Sequence, residues 1–180
     1  MVEGLTVYDL LAAIRSRMTY RQIDSTIAQL TCPICGSWGE GATEGAKNAR
    51  IHKHLQTHEG AYTRANTRGD PGGVADYWHA LRVMAPVTGW TPVPQVVDAI
   101  YDSYSGPNAA AERLVASWVA RNWPALRKAG VSVPNTGQGL ILLIPTPIWG
   151  LLVSLADSTD FRDHAAALVE RMAEDQKAAP

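Results

Sequence analysis

Cys32-Pro33-Ile34-Cys35, with His54 and His58 further along, constrains this chain more than any other feature. A C-x2-C turn presents two sulfurs from one short segment. Two histidines four residues apart project from the same face of a helix. Thiolate and imidazole are the ligands zinc prefers, and four of them close a tetrahedral structural site. The chain has only two cysteines, too few for a disulfide scaffold, and metal ligation accounts for both. The expected ligands are therefore Cys32, Cys35, His54 and His58, around one structural Zn2+. His52 is the alternative ligand; it lies two residues from His54 and so on a different helix face. Ile51 is expected to pack beneath the site, and Trp38 to cover its other side.

These residues, with Thr57-His58-Glu59-Gly60 after them, resemble a Cys2His2 zinc finger. The likeness covers residues 32–60. It departs in one respect: 18 residues separate Cys35 from His54, where the family usually has about 12. An insertion of that size, rich in Gly, Ala and Glu, implies a loop in place of the tight turn. The resemblance implies that the helix carrying the histidines could offer Lys47, Arg50 and Lys53 to DNA, although the same charges also serve to solvate a helix. Four ligands close a site where a catalytic zinc keeps one position open. The chain also has no H-E-x-x-H, no G-x-G-x-x-G, no P-loop and no G-x-S-x-G. No acid pair stands in a catalytic arrangement, so a non-enzymatic protein is expected.

Hydrophobic periodicity predicts mostly helix. Val7, Leu10, Leu11 and Ile14 follow helical spacing. Thr19 reads as the N-cap of a second helix with Ile23, Ile27 and Leu30 on one face. Residues 61–73, ending in a Gly/Asp/Pro cluster, read as a linker. A helix is expected near 74–84. Thr91 and Pro92 look like an N-cap and first position, leading into Val96, Val97, Ile100 and Tyr101. A third helix runs from Ala109 to Gly130 through Leu114, Val115, Trp118 and Val119, with a kink expected at Pro124. VSV and LILLI then flank a Pro/Asn/Gly turn, which signals a hairpin. Phe161, Ala165, Leu168, Val169 and Met172 stripe a last helix near 160–175.

Three helices followed by a glycine-bearing hairpin resemble a winged-helix DNA-binding domain, over residues 74–145. That likeness implies a third helix in the major groove and a wing on the adjacent backbone. The residues it would use are Arg113, Arg121, Asn122, Arg127 and Lys128 on the helix, with Asn135 and Gln138 at the wing tip. Arg can bond guanine, Asn and Gln can bond adenine, and any Arg or Lys can hold phosphate. Charge is distributed to match. The chain's net charge is −1, yet residues 61–145 carry seven basic and five acidic groups, a balance of +2. A uniformly basic nucleic-acid binder is excluded; a locally basic site is not. Three helices and a hairpin also make a generic α+β packing unit with no nucleic-acid role.

The expected fold is therefore mainly α with a small β-hairpin. Residues 1–60 form a helical pair and zinc-finger-like module, 61–73 a linker, and 74–180 a winged-helix-like domain with an extra C-terminal helix. The expected function is duplex DNA binding in transcriptional regulation. The alternative is a zinc-stabilised protein–protein interaction adaptor. The stripe on the last helix is also a candidate face for a homodimer. Gly139 to Ala156 carries no charge, but Pro145 and Pro147 would strip hydrogen-bond donors where lipid cannot replace them. It reads as a buried strand, a turn and the start of a buried helix, and no membrane partner is expected. The opening residues lack a basic segment before an apolar core, so no signal peptide is expected and the location expected is cytoplasmic.

Overall fold

The structure, a computed structural model, describes residues 5–23, 28–36, 44–68, 71–130, 133–134 and 141–178. It is mostly helical with two small antiparallel sheets, in two compact units, 5–88 and 89–180.

In the first unit, helix α1 spans Val7–Arg17. Its start is fixed by a capping box: the Asp9 amide donates to Thr6 Oγ1 at 3.1 Å, and the Thr6 amide donates to the Asp9 carboxylate at 2.8 Å. Leu10, Leu11, Ala13 and Ile14 form its buried face. The helix expected after Thr19 is instead a hairpin. Strand β1, Thr19–Gln22, pairs antiparallel with β2, Ala28–Thr31, with Tyr20 opposite Leu30. Buried Ala28, Leu30 and Cys32 alternate with exposed or half-buried neighbours, which is a strand period of two. Ile23 lies 59% exposed and contributes no helical face; Ile27 lies outside the described residues.

Helix α2 spans Glu44–Arg68 and α3 spans Pro71–Thr88. The expected linker over 61–73 is thus helix over 61–68 and again from 71. It is held there by burial of Tyr62 and Ala65 on the same seam as Ile51 and Leu55. Val74, Tyr77, Trp78, Leu81 and Met84 form the answering seam of α3. The three helices pack on one another pairwise. Gly89, with φ of +77°, ends α3 in the left-handed region that glycine tolerates. The compact units divide there, so α3 belongs with the first unit rather than the second.

The second unit begins with a strand where a helix was expected: β3, Trp90–Pro94. Pro92 and Pro94 lack N–H groups, but β3 is an edge strand whose one neighbour is β5, Ile141–Pro145. Two prolines spaced by two residues leave the same, open edge without donors. Between them in sequence come the short helix α4, Val97–Tyr101, the long helix α5, Ala109–Lys128, and strand β4, Val133–Pro134. The sheet order is β3-β5-β4. The expected hairpin is therefore present as β4 and β5. Ile141 to Ile144 are all at most 1% exposed, as a strand covered on both faces requires. Pro124 sits exposed inside α5, which continues past it to Lys128. Helix α6, Thr146–Leu155, follows β5 directly, and α7 spans Phe161–Ala178. Among the described residues no helix is long and apolar enough to cross a membrane.

Candidate metal centre

Strand β2 delivers Cys32 to a turn that closes on itself. The Gly36 amide donates to the Cys32 carbonyl at 2.9 Å, and Gly36 adopts φ of +67°. Only a residue without a Cβ takes that backbone cheaply. The turn aims both sulfurs at α2, where His54 and His58 stand one turn apart. Cys32 Sγ lies 3.5 Å from His58 Nε2. Cys35 Sγ lies 3.4 Å from His54 Nε2 and 3.7 Å from His58 Nε2. The two Nε2 atoms are 3.1 Å apart. One ligand atom from each of the four residues falls within 4.8 Å of the others, so the cluster can hold one metal ion. His52 is exposed and outside the cluster.

The surroundings favour neutral imidazoles. Burial holds the pKa of His54 down, and burial together with the His54 charge does the same for His58. Burial pushes the Cys32 thiol up. Cys32 is 2% exposed, whereas Cys35 faces solvent. Ile51 is buried at 8% exposure. Trp38 lies outside the described residues.

The His column on α2 continues into a residue not anticipated from sequence. Tyr62 Oη lies 3.1 Å from His58 Nδ1. The His58 and Tyr62 rings are stacked, with centroids 5.4 Å apart and planes at 17°. Tyr62 is 2% exposed, and its other flank meets the Tyr77 ring of α3 at 5.4 Å. Burial raises its hydroxyl pKa well above the ordinary tyrosine value. The signal was present as spacing: His54, His58 and Tyr62 recur every fourth residue. Reading residues 61–73 as a linker hid it.

The residues expected to contact DNA are placed differently from one another. Arg121, Arg127 and Lys128 are exposed on α5, with Arg127 5.9 Å from the Trp123 ring. Arg113 is turned to α4, pairing with Asp98 at 2.7 Å and Asp102 at 2.9 Å. Asn122 donates to the Trp118 carbonyl of its own helix at 2.8 Å. In the first unit Lys47 sits 4.7 Å over the Tyr20 ring, and Arg50 and Lys53 are exposed. Asn135 and Gln138 lie outside the described residues. On α7 the apolar stripe is used within its own unit: Phe161, Ala165 and Val169 are buried, and Phe161 meets Trp118 of α5 edge-on at 6.1 Å.

No protein-family model, curated protein or solved structure matches this chain.

Proposed function

We propose that this chain binds duplex DNA through its second unit, in the manner of a winged helix, and that one structural zinc ion staples its first unit. The observation that carries the DNA reading is the threading of residues 90–145. A strand, two helices and a hairpin follow in that order, and the hairpin's second strand returns to the centre of the sheet. Two helices followed by a hairpin are the later part of the helix, helix, helix, hairpin order by which the sequence resembles a winged helix; the helix near 74–84 belongs to the first unit. Helix α5 is the helix proposed to enter the major groove, and Arg121, Arg127 and Lys128 are its exposed cations. Arg113 and Asn122 are engaged within the protein and take no part in this reading.

The zinc reading rests on ligand chemistry and distances. Zn–S of about 2.3 Å and Zn–N of about 2.0–2.1 Å place tetrahedral N and S ligands about 3.6 Å apart, and two N ligands about 3.3 Å apart. Three of the four N···S distances run from 3.4 to 3.7 Å, the N···N distance is 3.1 Å, and all four ligand atoms lie within 4.8 Å of one another. A thiolate pair with two imidazoles suits zinc above hard, oxygen-seeking cations. The role is structural, since no ligand position stays open.

The test is binding of the full, zinc-loaded chain to random-sequence duplex by anisotropy across salt concentration. Wild type is expected to bind, with affinity falling steeply as salt rises. The double substitution Arg121→Ala, Lys128→Ala is expected to flatten the salt slope by about 1.8, or about 0.9 for each phosphate no longer neutralised. Absence of binding at low salt by a folded, metal-loaded protein would overturn the DNA reading in favour of the adaptor.

A further inference from the structure

We infer that Tyr62 is the positioning residue of the metal centre: it accepts the Nδ1 proton of His58 and so holds that imidazole in the one tautomer that presents Nε2 to the ion. The inference rests on the metal-site reading and deepens it. His58 Nε2 lies within 3.7 Å of both sulfurs and 3.1 Å from His54 Nε2, so this nitrogen faces the ion. A neutral imidazole carries one N–H. With the Nε2 lone pair directed to the metal, the proton resides on Nδ1, and the atom 3.1 Å away is Tyr62 Oη. Ligating histidines characteristically give their second nitrogen to such a partner, which fixes ring orientation and raises ligand basicity.

Two further contacts make the partnership rigid. The near-parallel stacking of Tyr62 on His58 opposes rotation of the imidazole, and the Tyr77 ring lies 5.4 Å from that of Tyr62. Tyr62 is sealed from water at 2% exposure, so no solvent molecule takes the place of its hydroxyl without cost. The two histidines are unequal in this respect. Among the described residues the His54 side chain has hydrogen-bond-range neighbours only at Nε2. His58 is therefore the ligand tied to the core, through α2 to α3.

The experiment uses the full chain with zinc itself as probe. Tyr62→Phe keeps the ring and removes one oxygen. Competition against a zinc-binding dye is expected to show affinity reduced about 10-fold or more, the usual range for loss of an outer-shell partner being about 10–100-fold. Tyr8→Phe, at a side chain 71% exposed on α1, is expected to leave it within about 2-fold. A two-dimensional 1H–15N spectrum of the wild-type imidazoles needs no variant. It is expected to show His58 as the Nδ1–H form with a solvent-protected proton, and Tyr62→Phe to expose that proton to exchange. A merely structural Tyr62 would lower the melting temperature with affinity and tautomer unchanged, and that result overturns the inference. Failure of wild type to bind zinc at all would overturn the underlying metal reading instead, and is seen before any variant is made.

Discussion

Removing the metal should unfold one part of the first unit and spare the rest. The hairpin of β1 and β2 is held to its unit by little apolar burial. All four residues of β1 are exposed, and only Ala28 and Leu30 of β2 are buried. A buried Leu contributes about 1.5–3 kcal/mol, and a methyl group about 0.8 kcal/mol, so the hairpin gains roughly 3 kcal/mol from its apolar contacts. Ordering each backbone residue costs about 1–2 kcal/mol, and an isolated two-stranded hairpin is marginal in water. Structural zinc in finger peptides supplies about 10–16 kcal/mol of apparent binding energy at neutral pH. An ion bound at the cluster would therefore dominate whether residues 19–22 and 28–36 stay ordered. The three helices do not depend on it in this way. Leu10, Ile14, Ala65, Tyr77, Leu81 and Met84 are each at most 1% exposed and form a core of their own. Hydrogen–deuterium exchange of the full chain, with and without a strong chelator, distinguishes the regions. The expected result is loss of protection across 19–22 and 28–36 with α1 and α3 still protected. Equal protection of the hairpin in both states would refute the argument, and so would collapse of the whole of 5–88 in one step.

Three further outcomes follow from single contacts. Leu143→Ala empties a fully buried position in the central strand β5; urea denaturation should show the unit of 89–180 destabilised by about 2–5 kcal/mol. Thr6→Ala should cost about 1 kcal/mol through loss of the α1 cap. The Thr6 hydrogen bonds hold the Asp9 carboxyl below its ordinary pKa. The part of the stabilisation tied to its charge is present above the unfolded carboxylate value and is lost as pH falls through the lower folded value. Urea melts at pH 7 and pH 3 should therefore differ less in Thr6→Ala than in wild type. Arg113→Ala should leave DNA affinity within about 2-fold, because its guanidinium is turned to Asp98 and Asp102. A loss matching that of Arg121→Ala would show that it faces DNA.

Helices with a clear stripe were legible in the sequence, and so was the metal cluster. α1, α3, α5 and α7 stand close to their expected places, as does the hairpin of β4 and β5. The strands β1 and β3 were not legible, and for different reasons. Ile23, Ile27 and Leu30 mimic helical spacing, yet Ile23 is exposed. The pattern that decides the structure is the shorter alternation of Ala28, Leu30 and Cys32, which places the first sulfur in the cluster. At β3, Thr91-Pro92 carries a helix-start signature. Pairing with the wholly apolar β5 overrides it, because an edge strand tolerates prolines on its open side. Arg113's ion pairs were not legible either. Basic residues on a helix look alike in sequence, and only packing of α4 beside α5 brings Asp98 and Asp102 to this one.

The segment read as a linker teaches the most about the site. A pair His-x3-His is a ligand pair only if the chain between is helical, and from His54 to Thr67 the one residue that disfavours a helix is Gly60. The first breakers come together at Gly69-Asp70-Pro71. The metal reading demanded a helix only from His54 to His58; the structure carries it past Gly60 through Ala61 and Tyr62. On that helix the position four beyond His58 faces the back of its ring, and it is filled by an aromatic residue with a hydroxyl. The polar composition of 61–68 describes the outward face of the helix alone. The inward face is carried by Tyr62 and Ala65, at 2% and 0% exposure. Two apolar positions three apart are a thin signal when read alone. Extended from Ile51 and Leu55, they continue one seam, and that seam is what sets Tyr62 against the ligand.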